Sequence, residues 1–211
     1  MSDKKTYTLF AGVNGAGKST FYKQLYDDAA SKNLGIRINT DEIVRSHFNN
    51  DWKNENAQIV AGRMAVKMIK DCLKGDMSFN QETTLTGKTI ISNIKKAKSN
   101  GFNINLVYVG LESAELSIAR VAARVKKGGH GISEEDLLRR YSTSFDNLKL
   151  VLPFCDKVVI FDNSKDNSFD ISKPLLTVID GEIVILDKKC PLYMWNVLED
   201  YVSGFESLSR N

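Results

Sequence analysis

The sequence predicts a three-layer α/β fold, in which a central, mainly parallel sheet is flanked by helices and followed by a C-terminal hairpin and helix. Three observations carry this. From residue 7 to residue 162, short apolar β-rich runs alternate with longer segments of helical periodicity. That alternation implies parallel strands joined by helical crossovers. A glycine-rich stretch, Gly12 to Gly17, separates the first apolar run from the first helical segment. Beyond residue 162 the pattern changes to two apolar runs joined by Asp180-Gly181, which suits a tight hairpin turn.

Taken in order, residues 7–11 read as a buried strand bounded by Gly12. A helix is expected over 18–30, with Phe21, Leu25 and Tyr26 on one face. A short strand fits 35–38, and Thr40-Asp41 looks like a helix start, with either residue as its cap. A long helix fits 54–74, a strand 77–81, and a helix 86–100 stopped by Asn100-Gly101. Residues 103–109 read as a strand, and Ser113 opens a helix to Lys127 that Gly128-Gly129 breaks. Ser133 through Asp136 is a near capping box for a helix to about Val151, with Pro153 following. An apolar strand fits 158–161 and ends at Asp162. The hairpin pairs 175–179 with 182–186, and 191–207 is a closing helix. The expected organisation is a core over 1–162 with a lid around 113–140. Residues 163–211 supply a hairpin and helix packed on that core, a single domain overall, with a polar linker over 163–170.

Length and composition exclude several classes. At 211 residues the chain can bury a core without disulfides or metals. With 29 Lys+Arg against 26 Asp+Glu the net charge is +3, which argues against an extended nucleic-acid surface but leaves room for a local basic pocket. Two histidines, His47 and His130, rule out a His-rich metal site. Three dispersed cysteines form no C-x-x-C pair. No apolar run reaches membrane-span length, and the start Met1-Ser2-Asp3-Lys4-Lys5 leads straight into a strand without a signal-peptide core. A cytoplasmic protein is expected.

The chemistry is announced by Gly12-Val13-Asn14-Gly15-Ala16-Gly17-Lys18-Ser19, a match to G-x-x-x-x-G-K-[ST], followed by Thr20. Small residues let the backbone wrap phosphates with its N–H groups inward, and the following helix adds its N-terminal partial positive charge. Lys18 is expected to reach the β- and γ-phosphates of a nucleotide such as ATP, and the Ser19 hydroxyl to bind Mg²⁺. Asn163-Ser164-Lys165-Asp166 has the letters of a GTPase base-reading motif in the wrong order, and Val158 through Asp162 only faintly resembles a Walker-B strand.

A kinase also needs a proton acceptor and cations over the transferring phosphoryl. Asp41 follows the second strand at the sheet edge that carries the phosphate loop, so it is the candidate base. Glu82 follows the third strand, with Thr83, Thr84 and Thr86 after it, and is a candidate for substrate hydroxyls or a Mg²⁺-bound water. Arg120 and Arg124 stand i, i+4 on one helix, with Lys127 beyond and a glycine hinge, Gly128-Gly129-His130-Gly131, behind them. They are expected to close over the phosphates as a lid, with Arg139 and Arg140 as a second source of contacts. Other readings of the same motifs are a nucleotide-hydrolysing switch acting on a protein partner, a polynucleotide kinase, and a binding protein with an inactive loop.

The set comprising 12–20, Ile38-Asn39-Thr40-Asp41, Glu82-Thr83-Thr84-Leu85 and the stretch from Arg120 to Gly128-Gly129-His130 resembles the zeta-toxin family of P-loop kinases in its shorter form. The resemblance runs from about residue 7 to residue 162. It implies an adenylate-kinase-like core and ATP/Mg²⁺-dependent phosphorylation of the sugar 3′-hydroxyl of UDP-N-acetylglucosamine. It further implies a toxin restrained by an antitoxin protein. The near-neutral charge and the lack of a long apolar run, not the resemblance, are what speak against nucleic acid and membrane as partners. By position, Lys18 resembles the phosphate-binding lysine, Asp41 the base, Glu82 the substrate-pocket acid and Arg120 or Arg124 the first lid arginine. This chain has Glu82-Thr83-Thr84 where the family's toxins have Glu-Gly-Thr. Their second lid arginine falls near His130, so that role passes to Arg124 or Arg140.

Overall fold

Residues 7–11 are uncharged and rich in β-favouring side chains, and they form β1 (Thr6–Gly12), the middle one of five parallel strands. Its side chains alternate between two buried faces. Tyr7, Leu9 and Ala11 join the main core, whereas Phe10 packs with Phe21 and Phe161 on the other side. Burial on both faces is what a strand sandwiched between helical layers requires. The structure, a computed structural model, describes residues 4–27, 34–49, 51, 54–87, 89–165 and 170–208.

After β1 come α1 (Lys18–Asp27), β2 (Ile36–Ile38), α2 (Thr40–His47), α3 (Glu55–Lys74), β3 (Phe79–Thr83), α4 (Ile90–Ser99) and β4 (Asn103–Gly110). Then follow α5 (Ala114–Lys126), α6 (Glu134–Val151), β5 (Lys157–Asp162), β6 (Leu176–Ile179), β7 (Glu182–Leu186) and α7 (Leu192–Leu208). Side-chain caps start several helices where the sequence places them. Asn54 accepts from Ala57 N, Ser113 from Leu116 N and Ser133 from Asp136 N. Pro153 lies in a short 3-10 turn that ends α6.

The seven strands run in the order β2-β3-β1-β4-β5-β6-β7. The first five are parallel, and β6 and β7 add on antiparallel. The chain thus jumps from β3 across β1 to β4. The C-terminal ends of β1, β2 and β3 open together beside that switch point, where open α/β sheets bind ligands. The C-terminal hairpin continues the sheet, with Val158 opposite Val178, and Met194, Val197, Leu198 and Val202 of α7 are buried in the main core. Among the described residues no helix is long and apolar enough to cross a membrane. The three cysteines are unpaired.

Three expected boundaries shift. The third strand starts at Phe79 and reaches Thr83, because α3 needs residues 75–77 to exit: Gly75 N caps on Asp71 O, Met77 N bonds Cys72 O and Asp76 takes φ +53°. Helix α4 starts at Ile90, four residues later than its periodicity suggests, since 84–87 leave β3 as an irregular segment bent at Leu85, which takes φ +63°. The cap of α2 is Asn39 rather than Thr40 or Asp41. Residues 28–30 of the first expected helix, the side chains of Leu25 and Tyr26, and residues 166–169 of the expected linker lie outside the described residues.

Candidate active site

The loop between β1 and α1 closes on itself around Lys18, which is buried and donates to the Val13 carbonyl at 2.9 Å. Burial pushes its ammonium pKa down, opposed by Glu82 and Asp41 and reinforced by Arg124. Gly12 takes φ +139°, and a Cβ there would lie 2.2 Å from Val109 O, so only glycine lets the loop leave β1 past β4. Gly17, at φ +92°, faces the Asn163 amide, with a Cβ 2.8 Å from Nδ2. That amide donates to Ala16 O at 2.9 Å, and Ser117 Oγ donates to Asn14 O at 2.7 Å, so both flanks of the loop are pinned from outside. The amide oxygens of Asn14 and Asn163 are buried without a hydrogen-bond partner among the described residues, an uncommon cost that functional sites tend to carry.

Ser19, in the first turn of α1, donates to Glu82 Oε1 at 2.6 Å. The other Glu82 oxygen accepts from Arg37 Nη2 at 2.5 Å and from Asn39 Nδ2 at 2.9 Å. Glu82 is therefore a fixed, paired carboxylate at the phosphate-loop end of β3, with only 12% of its side chain exposed. Asp41 stands in the first turn of α2. Its N–H is taken by Asn39 Oδ1 at 2.9 Å, so its own carboxylate is not spent on capping. It is half-buried and faces the same cleft.

That cleft, of about 1340 Å³, is continuous from the phosphate loop past Asp41 to Thr83, Thr84, His130 and Arg140. On its far side, Thr83 Oγ1 accepts from Leu85 N at 3.0 Å, the Thr84 and Thr86 hydroxyls bond at 2.7 Å, and Asn147 Nδ2 holds Leu85 O at 2.6 Å. These bonds over-determine the left-handed Leu85, a strained conformation of the kind held at ligand sites.

The lid arginines divide. Arg124, expected over the phosphates, donates through Nε at 3.0 Å and Nη2 at 2.7 Å to the His130 carbonyl, clamping the hinge. Arg120 reaches the cleft with no hydrogen bond or ion pair among the described residues. His130 is half-buried, 3.5 Å from Gln58 Nε2, and burial pushes its pKa down, with Asp41 opposing and Arg124 and Arg140 reinforcing. Arg140 also lies 3.9 Å from Asp136, which Arg139 holds at 2.5 Å.

The structure brings Lys18, Ser19, Thr20, Asp41, Glu82, Thr83, Thr84, Arg120, Arg124, His130 and Arg140 onto one cleft. Asp162 is spent elsewhere: it accepts from Tyr193 OH at 2.6 Å and from the N–H and hydroxyl of Ser164. Three residues of this neighbourhood are given no role by the sequence. Arg37 is a lone arginine in a three-residue strand, Asn39 stands in the Ile38–Asp41 stretch only as the residue before the expected cap, and Asn163 opens a scrambled motif that reads as a linker. Only the threading of β2 beside β3, and of β5 beside β4, brings them to the loop.

Comparison with known proteins agrees with this geometry. Residues 1–173 match the family described as Zeta toxin. An uncharacterized protein of Haemophilus influenzae is 39% identical over 133 residues, covering 63% of this chain and 90% of its own. Among solved structures, one from the PezAT chromosomal toxin-antitoxin system of Streptococcus pneumoniae superposes with a TM-score of 0.56 at 15% identity, covering 98% of this chain and 86% of that one. AvrRxo1-ORF1:-ORF2 with ATP gives 0.59 at 17% identity, covering 87% of this chain and 61% of that one. The likeness to both is one of fold. The family match, spanning the phosphate loop, both acidic positions and the arginine helix, makes this chain a member of the zeta toxin family and a P-loop phosphotransferase.

Proposed function

We propose that the protein transfers the γ-phosphoryl group of ATP to a hydroxyl of a UDP-sugar, UDP-N-acetylglucosamine above all. The observation that carries this reading is that Asp41 lines one cleft together with the phosphate loop and the hydroxyl residues Thr83, Thr84 and Thr86. Lys18 neutralises phosphate charge, and Arg120, which has no ion pair among the described residues, supplies the cation that closes on the transferring group. Asp41 accepts the proton of the attacking hydroxyl. Thr83, Thr84 and Thr86 suit a sugar, and His130, Arg139 and Arg140 suit an acceptor that carries its own phosphates.

Magnesium belongs to this reading, and the donors present fit it. Ser19 and Glu82 set a hydroxyl and a carboxylate side by side at the loop, hard oxygen ligands of the kind Mg²⁺ takes together with nucleotide phosphates. Among the described residues no group of three His, Cys, Asp or Glu forms an all-protein cage, which Mg²⁺ at nucleotide sites does without. When bound, the ion would be held by Ser19 and Glu82 and would supply positive charge against the nucleotide's phosphates.

The nucleotide and a UDP-sugar put the reaction in the cytoplasm. The likeness to a toxin-antitoxin structure supports a growth-arresting enzyme held by an antitoxin protein. The test is incubation with Mg·ATP and a panel of UDP-sugars, nucleosides and oligonucleotides, read by mass spectrometry. Phosphate gained by the UDP-sugar alone is expected. Phosphate on oligonucleotide ends points instead to a polynucleotide kinase, and ATP hydrolysis indifferent to every acceptor to a hydrolytic switch. Induced expression is expected to arrest growth, and Lys18→Ala to relieve the arrest; equal growth with either version removes the toxin assignment.

A further inference from the structure

Arg37 is the most connected side chain around the site. It projects from β2, and only 14% of it is exposed. Its guanidinium spends its donors on three partners. Nη2 bonds Glu82 Oε2 at 2.5 Å, Nε and Nη2 bond Glu42 Oε1 at 3.2 and 3.1 Å, and Nη1 bonds Asn80 Oδ1 at 3.2 Å. Its flat face lies over the Tyr22 ring, with Cζ 3.6 Å from the centroid. The contacts tie β2, which carries Arg37, to three other elements: Tyr22 on α1, Glu42 on α2, and Asn80 and Glu82 on β3. Tyr22 stands three residues beyond Ser19, and Glu42 directly follows Asp41.

We propose that Arg37 is a positioning residue of the phosphotransfer site. It fixes Glu82 so that one oxygen stays on Ser19, and in the same grip it sets the first turn of α2, which carries Asp41, at a constant distance from the phosphate loop. The physical reason is geometric. A carboxylate on a strand end can rotate, but one whose second oxygen is held by a planar, five-donor fork that is itself stacked on a ring has one orientation. Asn39 repeats the arrangement on a smaller scale, bridging Glu42 and Glu82 at 3.2 and 2.9 Å. Lysine cannot substitute, because an ammonium is a single point on a flexible stem and cannot bond Glu42, Glu82 and Asn80 in one plane.

This inference rests on the reading of Ser19 and Glu82 as the Mg²⁺ side of the site, and calorimetry separates the two. ATP binding is measured with Mg²⁺ and with excess EDTA on wild type, Arg37→Lys, Arg37→Met and Glu82→Gln. Melting curves report folding. In wild type, Mg²⁺ is expected to tighten ATP binding at least tenfold. In Arg37→Lys the metal-free affinity stays within threefold of wild type, while the Mg²⁺ enhancement falls to the level of Glu82→Gln. Arg37→Met shows whether the stem alone suffices, and is expected to match Arg37→Lys. A folded Arg37→Lys that keeps the full enhancement overturns the positioning role and leaves the metal reading standing. Equal loss of affinity with and without Mg²⁺ makes Arg37 a purely structural tie and overturns it too. No enhancement in wild type overturns the metal reading and the inference together.

Discussion

The Lys18 ammonium lies 2.9 Å from the Val13 carbonyl, inside the loop it is expected to complete. That one bond is a poor substitute for water, and burial lowers its pKa even with Glu82 and Asp41 acting against it. Phosphates are the better partner, so burying this cation carries a cost that a bound nucleotide would offset. Lys18→Met is therefore expected to cut turnover by about 10² or more while leaving the melting temperature equal to or above that of wild type. The pH dependence has a definite sign. Between its lowered native pKa and the ordinary value of 10.5, Lys18 holds fewer protons folded than unfolded, so its own contribution to stability rises with pH there. The gap between Lys18→Met and wild type closes as pH rises through that window. Melting curves from neutral to alkaline pH check this, and a constant gap refutes it.

Asp41→Asn separates chemistry from folding. Asn39 supplies the cap of α2, so the Asp41 carboxylate can be neutralised without loosening the helix. The expected result is a fall in kcat of about 10²–10⁴, the usual worth of a general base, with ATP affinity and melting temperature little changed. Asn39→Ala should do the reverse. It removes a cap worth about 1 kcal/mol and one of the props on Glu82, so stability and turnover fall together. Thermal melts alongside single-turnover kinetics distinguish the two. An Asp41→Asn enzyme at wild-type speed would remove Asp41 from the role of base.

The order of the elements and the phosphate loop were legible because each has a local cause. Alternating periodicities announce βα units, and G-x-x-x-x-G-K-S needs only its own backbone to make its shape. The five parallel strands, the capped helices α3, α5 and α6 and the terminal hairpin all follow from such causes. The supporting residues were not legible, because their reason is non-local. Arg37 and Glu82 are 45 residues apart and meet because β2 pairs with β3. Asn163 and Ala16 are 147 residues apart and meet only when β5 is threaded beside β4. The late start of α4 was hidden for a related reason, since the left-handed Leu85 is held by Asn147 from α6, and no helical periodicity encodes that.

Asn163 makes a prediction of intermediate size. Its Nδ2 satisfies the Ala16 carbonyl at 2.9 Å, but its Oδ1 is buried without a partner among the described residues. Asn163→Ala orphans the carbonyl and at the same time removes an orphaned oxygen, so the net loss of stability is expected at the low end of the usual range, about 1 kcal/mol. The loosened loop should weaken ATP binding more than it slows saturated turnover, the signature of lost uniform binding. Denaturant unfolding and a KM-against-kcat comparison test this. A loss confined to kcat would mean that Asn163 acts on the transition state.

His130 offers a pH prediction from the other side of the cleft. Burial holds its pKa below the ordinary 6.5, Asp41 pulls it up, and Arg124 and Arg140 push it down. Between the lowered native value and 6.5 the unfolded chain binds more protons at this position than the folded one, so stability rises with pH there and is lost as pH falls. The hinge should feel this most, because Arg124 grips the His130 carbonyl through Nε and Nη2. An imidazolium beside two guanidinium groups repels the residues that hold the hinge closed. Acidification from pH 7.5 toward pH 5 is expected to lower the wild-type melting temperature more than that of His130→Gln, and to expose the 126–132 segment to proteolysis earlier in wild type. The glutamine variant keeps the carbonyl that Arg124 grips and removes only the titration, so parallel loss in both proteins would show that the acid sensitivity lies elsewhere.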